Sequence, residues 1–162
     1  MSKVIIISRF FPVGHKRQQE KTDFLAKFWA NHGIIMQNYH LEQLIDDYAN
    51  VSKIGFLMNP KKHTIRKGNR FKKGDYFSPR VWSGRPYHSK QIIVAPDTKI
   101  KEVYQIEIRN DLSILIDNKA FNSIDILANN DGLNKEDFIN WFSNQLPFKG
   151  QIICWNTYNI NY

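Results

Sequence analysis

The chain has 162 residues and a net charge of +8, with 42% hydrophobic and 14% aromatic residues. This length suggests a single domain, and the apolar content is enough for a packed core, which excludes an intrinsically disordered chain. No apolar run approaches the roughly 20 residues of a membrane-spanning helix, which excludes an integral membrane protein of that type.

The first fifty residues predict one strand and two helices. Lys3–Ser8 is aliphatic and β-branched, which predicts a buried strand, and it is too short for a signal peptide. Thr22 can cap a helix over 22–32 that Gly33 ends. A second helix is predicted over 41–48. The apolar positions assigned to the two helix faces are Phe24, Leu25, Phe28 and Trp29, then Leu41, Leu44, Ile45 and Tyr48.

After residue 50 the hydrophobic period becomes two, which is typical of strands. Turn signals at short intervals separate five candidates, and this spacing favours a small antiparallel barrel or sandwich. The predicted strands are Lys62–Arg66, Asp75–Trp82, Lys90–Ala95, Glu102–Arg109 and Leu112–Ile116.

The C-terminal part returns to helix and closes with a strand. Asn134 is placed to cap a helix that runs to Gln145, and residues 150–155, GQIICW, predict a last buried strand. The single cysteine, Cys154, cannot form an internal disulfide, so we expect a cytoplasmic protein. The order of elements predicts one α+β domain over 1–162, with an N-terminal strand and helix extension at 1–50 and a β core at 51–162.

All of the excess charge lies in one window. Residues 61–90 hold ten Lys or Arg and one acid, Asp75, whereas the other 132 residues hold 13 basic and 14 acidic side chains. A surface without a charged partner usually mixes its signs. The window therefore favours a polyanion, most simply nucleic acid. A basic face that clusters by chance, or one that meets an acidic protein, is the alternative.

Two motifs carry a family resemblance. KKHTIRKGNRFKKGD at 61–75 and NDGLNKEDFINWF at 130–142 resemble, in this order, the motifs of the ASCH domain over roughly Ile54 to Trp155. The resemblance implies a small PUA-like antiparallel β-barrel flanked by helices, with a cleft suited to RNA. The residues that fit the first motif one by one are Lys61, Thr64, Ile65, Arg66, Gly74 and Asp75.

The resemblance also implies a possible catalytic site. Some bacterial ASCH proteins are amidohydrolases that remove the acetyl group from acetylated cytidine nucleosides, using the lysine and threonine of Lys-x-x-Thr and a downstream glutamate. Lys61 and Thr64 match the first two residues. The carboxylate near the third position is Asp131, one methylene shorter than glutamate, and Asp131-Gly132 also fits a simple turn before a helix.

Strand geometry leaves two hypotheses for this segment. Residues at i and i+3 of a strand point to opposite faces, so Lys61 and Thr64 share a site only if Lys61 lies off the strand. Lys61 would then be a base that activates Thr64 or water, with a pKa lowered by Lys62 and Arg66. Alternatively, Lys62, Thr64 and Arg66 share a face and form a ladder of phosphate contacts.

A second stretch, RVWSGRPYHSK at 80–90, interleaves aromatic and cationic side chains, as sites for single-stranded nucleic acid do. The sequence therefore predicts a nucleic-acid-binding protein, with RNA as the expected partner. The predicted contacts are Lys62, Arg66, Arg70, Lys72, Lys73, Trp82, Arg85 and Tyr87.

Two enzymes are the alternatives. One is the amidohydrolase, with Lys61, Thr64 and Asp131 as its catalytic residues; the other is a metal-independent ribonuclease that uses His63, His88 and Lys61. No histidine pair has ligand spacing and no CxxC or HExxH is present, so no metal site is predicted, nor a cofactor. SRFFPVGH at 8–15 faintly resembles the start of nucleotidyltransferases but lacks their second histidine.

Overall fold

The structure, a computed structural model, describes residues 2–32, 44–51 and 60–162. The order of elements in these ranges alternates short strands with four helices. In chain order they are β1 (Lys3–Ile6), α1 (Phe24–His32), α2 (Ile45–Ala49), β2 (His63–Lys67), β3 (Tyr76–Trp82), β4 (Gln91–Ile93), β5 (Thr98–Lys99), β6 (Glu102–Ile108), β7 (Ile114–Ile116), β8 (Lys119–Phe121), α3 (Ile124–Asn130), α4 (Lys135–Phe142), a 3-10 turn (Ser143–Gln145) and β9 (Phe148–Cys154).

The strands form two sheets, which confirms an α+β fold with mostly antiparallel strands. In the first sheet β3 lies between β1 and β4 and also pairs with β5; β1 is its one parallel partner. The second sheet has the order β2-β9-β6-β7-β8 and is antiparallel. The expected closed barrel is not found among the described residues, because β3 pairs within the first sheet while β2 pairs with β9.

The N-terminal segment supplies part of the core. Ile5 and Ile7 are buried in and just after β1, and α1 buries Leu25, Phe28 and Trp29. The Trp29 indole donates to the Val94 carbonyl at 2.9 Å, which ties α1 to the chain just after β4. The predicted apolar face of α1 is therefore confirmed.

The second predicted helix is only partly described, since residues 41–43 lie outside the described ranges. Leu44 is buried, but Ile45 is 63% exposed and Tyr48 is 46% exposed, so the face assigned to this helix is wrong. The side chain that α2 buries is instead Asp47, whose carboxylate forms an ion pair with Arg9 at 2.7 Å.

The C-terminal helix begins as predicted. The Asp137 amide donates to Asn134 Oδ1 at 2.7 Å, which caps the first turn of α4. The helix ends at Phe142, and a 3-10 turn continues to Gln145. No helix among the described residues has the length and apolar character needed to cross a bilayer.

Candidate active site

Lys61 lies in the loop before β2, off the strand. Its amide donates to the Lys27 carbonyl in α1 at 3.3 Å, and its carbonyl accepts from the Trp155 indole at 3.1 Å. These bonds fix the loop between α1 and the end of β9. They also bury Lys61, which is 2% exposed.

The ammonium group of Lys61 is held by the turn that follows α3. Lys61 Nζ donates to Asp131 Oδ1 at 2.7 Å and to the Asp131 carbonyl at 2.6 Å. Gly132 makes this approach possible: its φ is +84°, and a Cβ there would lie 3.3 Å from Lys61 Cβ. The Asp131-Gly132 turn thus positions the ammonium group of Lys61 through hydrogen bonds.

On the side away from Asp131, the ammonium group of Lys61 faces an aromatic ring. The Phe24 ring of α1 lies 3.9 Å from Lys61 Nζ. Burial lowers the pKa of Lys61 to about 8, although Asp131 opposes the shift. The sequence predicted a lowered pKa from Lys62 and Arg66; burial is the main cause instead, and Arg66 makes a smaller contribution.

A second hydrogen-bonded group supports Asp131 from behind. His63 Nδ1 lies 3.6 Å from Asp131 Oδ1, and His63 Nε2 lies 2.6 Å from the Tyr162 hydroxyl. That hydroxyl accepts from Asn130 Nδ2 at 3.0 Å, so its proton points to His63 Nε2. The Nδ1–H of His63 then faces the carboxylate of Asp131.

The charge states of these groups follow from their surroundings. Burial lowers the pKa of His63, which stays neutral near pH 7. Burial alone would raise the pKa of Asp131, but Lys61 and His63 outweigh it and hold that pKa below its ordinary value. The pair is therefore an ion pair at neutral pH, with a lysine that loses its proton unusually easily.

Lys61, Asp131 and Thr64 all line one small cavity, which we call the inner cavity. Its volume is about 30 Å³, enough for a water molecule. The remaining residues that line it are Ile7, Ser8, Phe24, Ile65, Arg66, Trp141, Phe142 and Trp155. The three residues predicted as catalytic are thus brought together from a loop, a strand and a helix end.

A larger outer groove of about 400 Å³ adjoins the inner cavity. The two share Ile65, Arg66, Trp141 and Phe142 as walls. The outer groove runs between β1 and β2, and its other lining residues are Val4, Ile5, Ile6, Lys67, Arg70, Phe71, Gln145 and Phe148. The groove has the volume of a small-molecule site.

Arg66 stands where the groove and the cavity meet. Its Nη2 donates to the Ile6 carbonyl on β1, and burial lowers its pKa. Among the described residues, Arg66 Nε is one of two buried side-chain nitrogen or oxygen atoms without a hydrogen-bond partner; the other is His63 Nδ1. An unpaired buried guanidinium donor is costly, and such a group commonly serves a ligand.

The predicted nucleic-acid contacts are not gathered in one cleft. Lys72 and Lys73 lie before the start of β3, whereas Trp82 ends it, about 20 Å away along the strand. Some of the cations are engaged within the protein, because Lys62 Nζ donates to the Tyr158 carbonyl at 3.1 Å and Lys73 pairs with Glu102 at 2.6 Å. Three other predicted contacts, Arg70, Arg85 and Tyr87, are exposed.

The described histidines His15, His63 and His88 do not form a shared exposed site. His63 is fully buried, while His88 lies exposed in the turn between β3 and β4. His15 is also buried, where its Nδ1 accepts from the Arg17 amide and its Nε2 donates to the Asp137 carbonyl, both at 3.0 Å. These contacts make His15 structural, and the geometry does not favour a ribonuclease built on His63 and His88.

A separate cavity of about 480 Å³ lies beside Gly132, where Lys27 Nζ donates to the Gly132 carbonyl at 2.7 Å. Neither Lys61 nor Thr64 lines this cavity. Within the described ranges, no cluster of three or more His, Cys, Asp or Glu side chains has the arrangement of a metal site.

Sequence signals could find part of this arrangement. The Lys-x-x-Thr spacing and the Asp-Gly turn identified Lys61, Thr64 and Asp131. Tyr162 and Asn130 were missed, because a C-terminal tyrosine far from any motif gives no local pattern. Phe24 was assigned to the core, which is where it lies, but its contact with Lys61 joins two segments 37 positions apart.

No protein-family model matches the chain, and no curated protein or solved structure is significantly similar to it. The likeness to ASCH domains therefore rests on the motif residues alone.

Proposed function

We propose that this protein is an amide hydrolase whose substrate is a small acylated nucleoside, with an ASCH-like site made of Lys61, Thr64 and Asp131. The observation that carries the proposal is the meeting of these three residues at one buried cavity. Lys61 is the base, since burial brings its pKa to about 8. About a tenth of the molecules then hold a neutral amine at pH 7.

The reaction begins at Thr64. Its hydroxyl oxygen attacks the acyl carbon while Lys61 Nζ takes the hydroxyl proton. The C–N bond then breaks, and Lys61 returns the proton to the leaving nitrogen. Water then attacks the resulting acyl ester while Lys61 accepts its proton. The bond between Thr64 Oγ and the acyl carbon breaks, the acyl group leaves as a carboxylic acid, and Lys61 returns the proton to Thr64 Oγ.

The neighbouring groups stabilise charge during these steps. Arg66 Nε–H is the donor available for the oxygen that becomes negative when the acyl carbon is attacked. Asp131 orients Lys61 through the bond to Nζ and stabilises the ammonium form. The Tyr162 hydroxyl orients His63, whose Nδ1 faces the Asp131 carboxylate at 3.6 Å.

The outer groove supports the choice of substrate class. The walls combine aromatic and aliphatic side chains with the cations Lys67 and Arg70, which suits a flat, polar heterocycle with a sugar. The acyl group would point past Arg66 into the inner cavity. Since that cavity holds only a water-sized volume, short acyl groups such as acetyl are favoured over longer ones.

The test is hydrolysis of cytidine acetylated on its exocyclic amine, followed as release of cytidine by chromatography. Thr64→Val keeps the shape of the side chain and should lower kcat/KM at least about 100-fold, whereas Thr64→Ser should keep most of the activity. For the wild type, kcat/KM should rise with pH and level off above about 8, because the neutral form of Lys61 is the base.

Arg85→Gln is the matched control, because Arg85 is exposed in the β3–β4 turn and lines neither cavity. Its activity should equal that of the wild type. Two results would contradict the proposal: no release of cytidine by the folded wild type, or a Thr64→Val variant as active as the wild type.

A further inference from the structure

The outer side of the first sheet presents a row of aromatic and cationic side chains. Along β3 the inward residues Phe77, Pro79 and Val81 are buried, and the alternate positions lie on the other side. Of these, Ser78 is also buried and accepts a hydrogen bond from Arg80. Tyr76 is 50% exposed, and Arg80 and Trp82 are half-buried. Successive outward positions on a strand lie about 7 Å apart, so this row extends over about 20 Å.

The neighbouring strands continue the same surface. Lys99 of β5 lies opposite Tyr76, and Ile93 and Gln91 of β4 lie opposite Arg80 and Trp82. Lys99, Ile93 and Gln91 are all exposed. We call the surface formed by these six residues the outer face.

Arg80 is fixed on the outer face without an acidic partner. Its Nε donates to Ser78 Oγ at 3.1 Å and its Nη1 to Gln91 Oε1 at 3.3 Å. In the described part of the chain no carboxylate forms an ion pair with Arg80, and none of the residues in the four strands of this sheet is acidic. The positive charge of the outer face is therefore free to meet an anion.

The β3–β4 turn extends the row at one end. The Tyr87 ring lies 5.4 Å from the Trp82 ring, and Tyr87 is 86% exposed. Its φ of +64° is unusual for a tyrosine. The exposed cations Arg85 and Lys90 flank it.

We propose that the outer face, together with Tyr87, binds single-stranded nucleic acid. Exposed rings offer stacking to unpaired bases of any sequence, and cations set between the rings meet the phosphates. In a duplex the faces of the bases are stacked on one another, so they cannot stack on Tyr76, Trp82 or Tyr87. From residues 61–90, the cations Arg80, Arg85 and Lys90 lie on or beside this face. Together with the lack of acids in these strands they are complementary to a polyanion. This binding site is distinct from the Lys61 site and does not depend on hydrolysis there.

The experiment measures fluorescence anisotropy of labelled uridine and thymidine octamers, and of an RNA duplex, at two salt concentrations. The wild type should bind a single strand more tightly than the duplex and lose affinity as salt rises. Tyr76→Ser should weaken binding roughly tenfold or more. Arg80→Gln should weaken binding and make the logarithmic salt slope shallower by about 0.7.

Matched controls distinguish binding at the outer face from an unspecific effect of losing any exposed ring or any exposed cation. Tyr158→Ser removes another exposed ring, and Lys119→Gln removes an exposed cation from β8 of the second sheet. Both variants, and Thr64→Val, should bind like the wild type. The uridine and thymidine arms show whether the single strand is RNA or DNA, and either one bound through Tyr76 and Arg80 supports the proposal.

Three outcomes would overturn it. One is no binding of either octamer at low salt; another is a duplex bound as tightly as the single strands. The third is binding that survives both Tyr76→Ser and Arg80→Gln but is lost in Lys119→Gln, which would place the contact on the second sheet.

Discussion

The inner cavity and the outer face both carry basic side chains, but under opposite conditions. Lys61 is buried and held by Asp131, whereas Arg80 lies on the surface and, among the described residues, bonds to the neutral side chains of Ser78 and Gln91. Removing an ion from water costs several kcal/mol, so a buried charge persists only with a well-placed partner. Mutations in the inner cavity should therefore change mainly the stability of the fold, whereas mutations on the outer face should change mainly the affinity for nucleic acid.

The largest expected effect comes from breaking the buried pair. Lys61→Met leaves the Asp131 carboxylate buried without its ammonium partner, and we expect a loss of about 3–5 kcal/mol in the free energy of unfolding. Urea denaturation followed by tryptophan fluorescence measures this loss.

The double variant Lys61→Met with Asp131→Asn is the control for that prediction, because it removes both charges while keeping similar shapes. It should recover at least half of the lost stability. If Lys61→Met were as stable as the wild type, the ion pair would not be buried as the structure describes.

A smaller effect should appear when pH is varied. The pKa of Lys61 is about 8 in the folded protein, below its ordinary value near 10.5, so the unfolded chain binds more protons between these limits. The free energy of unfolding of the wild type relative to Lys61→Met should therefore rise by about 3 kcal/mol from pH 8 to 10.5.

The difference between the two proteins is what must be measured, since other groups also titrate there. Burial raises the pKa of Cys154 to about 12, which lowers the stability of both proteins above pH 9 and cancels in the comparison. A difference that stays constant across this pH range would show that Lys61 keeps an ordinary pKa.

The sequence could predict those parts of the two sites that depend on short segments of the chain, but not those that depend on distant segments coming together. The Asn134 cap and most strands follow from patterns that span a few residues, and so does the Lys61–Thr64 spacing. The placement of β1 beside β3 depends on pairing between segments more than seventy residues apart, which no local pattern encodes. Treating residues 1–50 as an extension beside the β core therefore gave no indication that Phe24 and Ile7 are walls of the inner cavity.

The Lys and Arg side chains of residues 61–90 are close in sequence but dispersed in the structure. Clustering along the sequence was taken as clustering in space, but β3 runs through the middle of the basic window and separates its two ends by about 20 Å. Trp82 was predicted as a contact, but Tyr76 was overlooked, because alternation alone does not tell which side of a strand is covered. Pairing with β4 and β5 supplies that information.

The smallest expected effect is that of Tyr76→Ala, which is best measured against a change at its neighbour Phe77 on the opposite side of β3. Phe77 is fully buried and Tyr76 is half exposed. Phe77→Ala should destabilise the protein by about 3–5 kcal/mol, as for other buried aromatic residues. Tyr76→Ala should cost less than about 1 kcal/mol, because it removes little buried area and leaves no cavity. Thermal unfolding followed by circular dichroism compares the two. A Tyr76→Ala variant as unstable as Phe77→Ala would mean that the outer face is covered, and the nucleic-acid site would have to lie elsewhere.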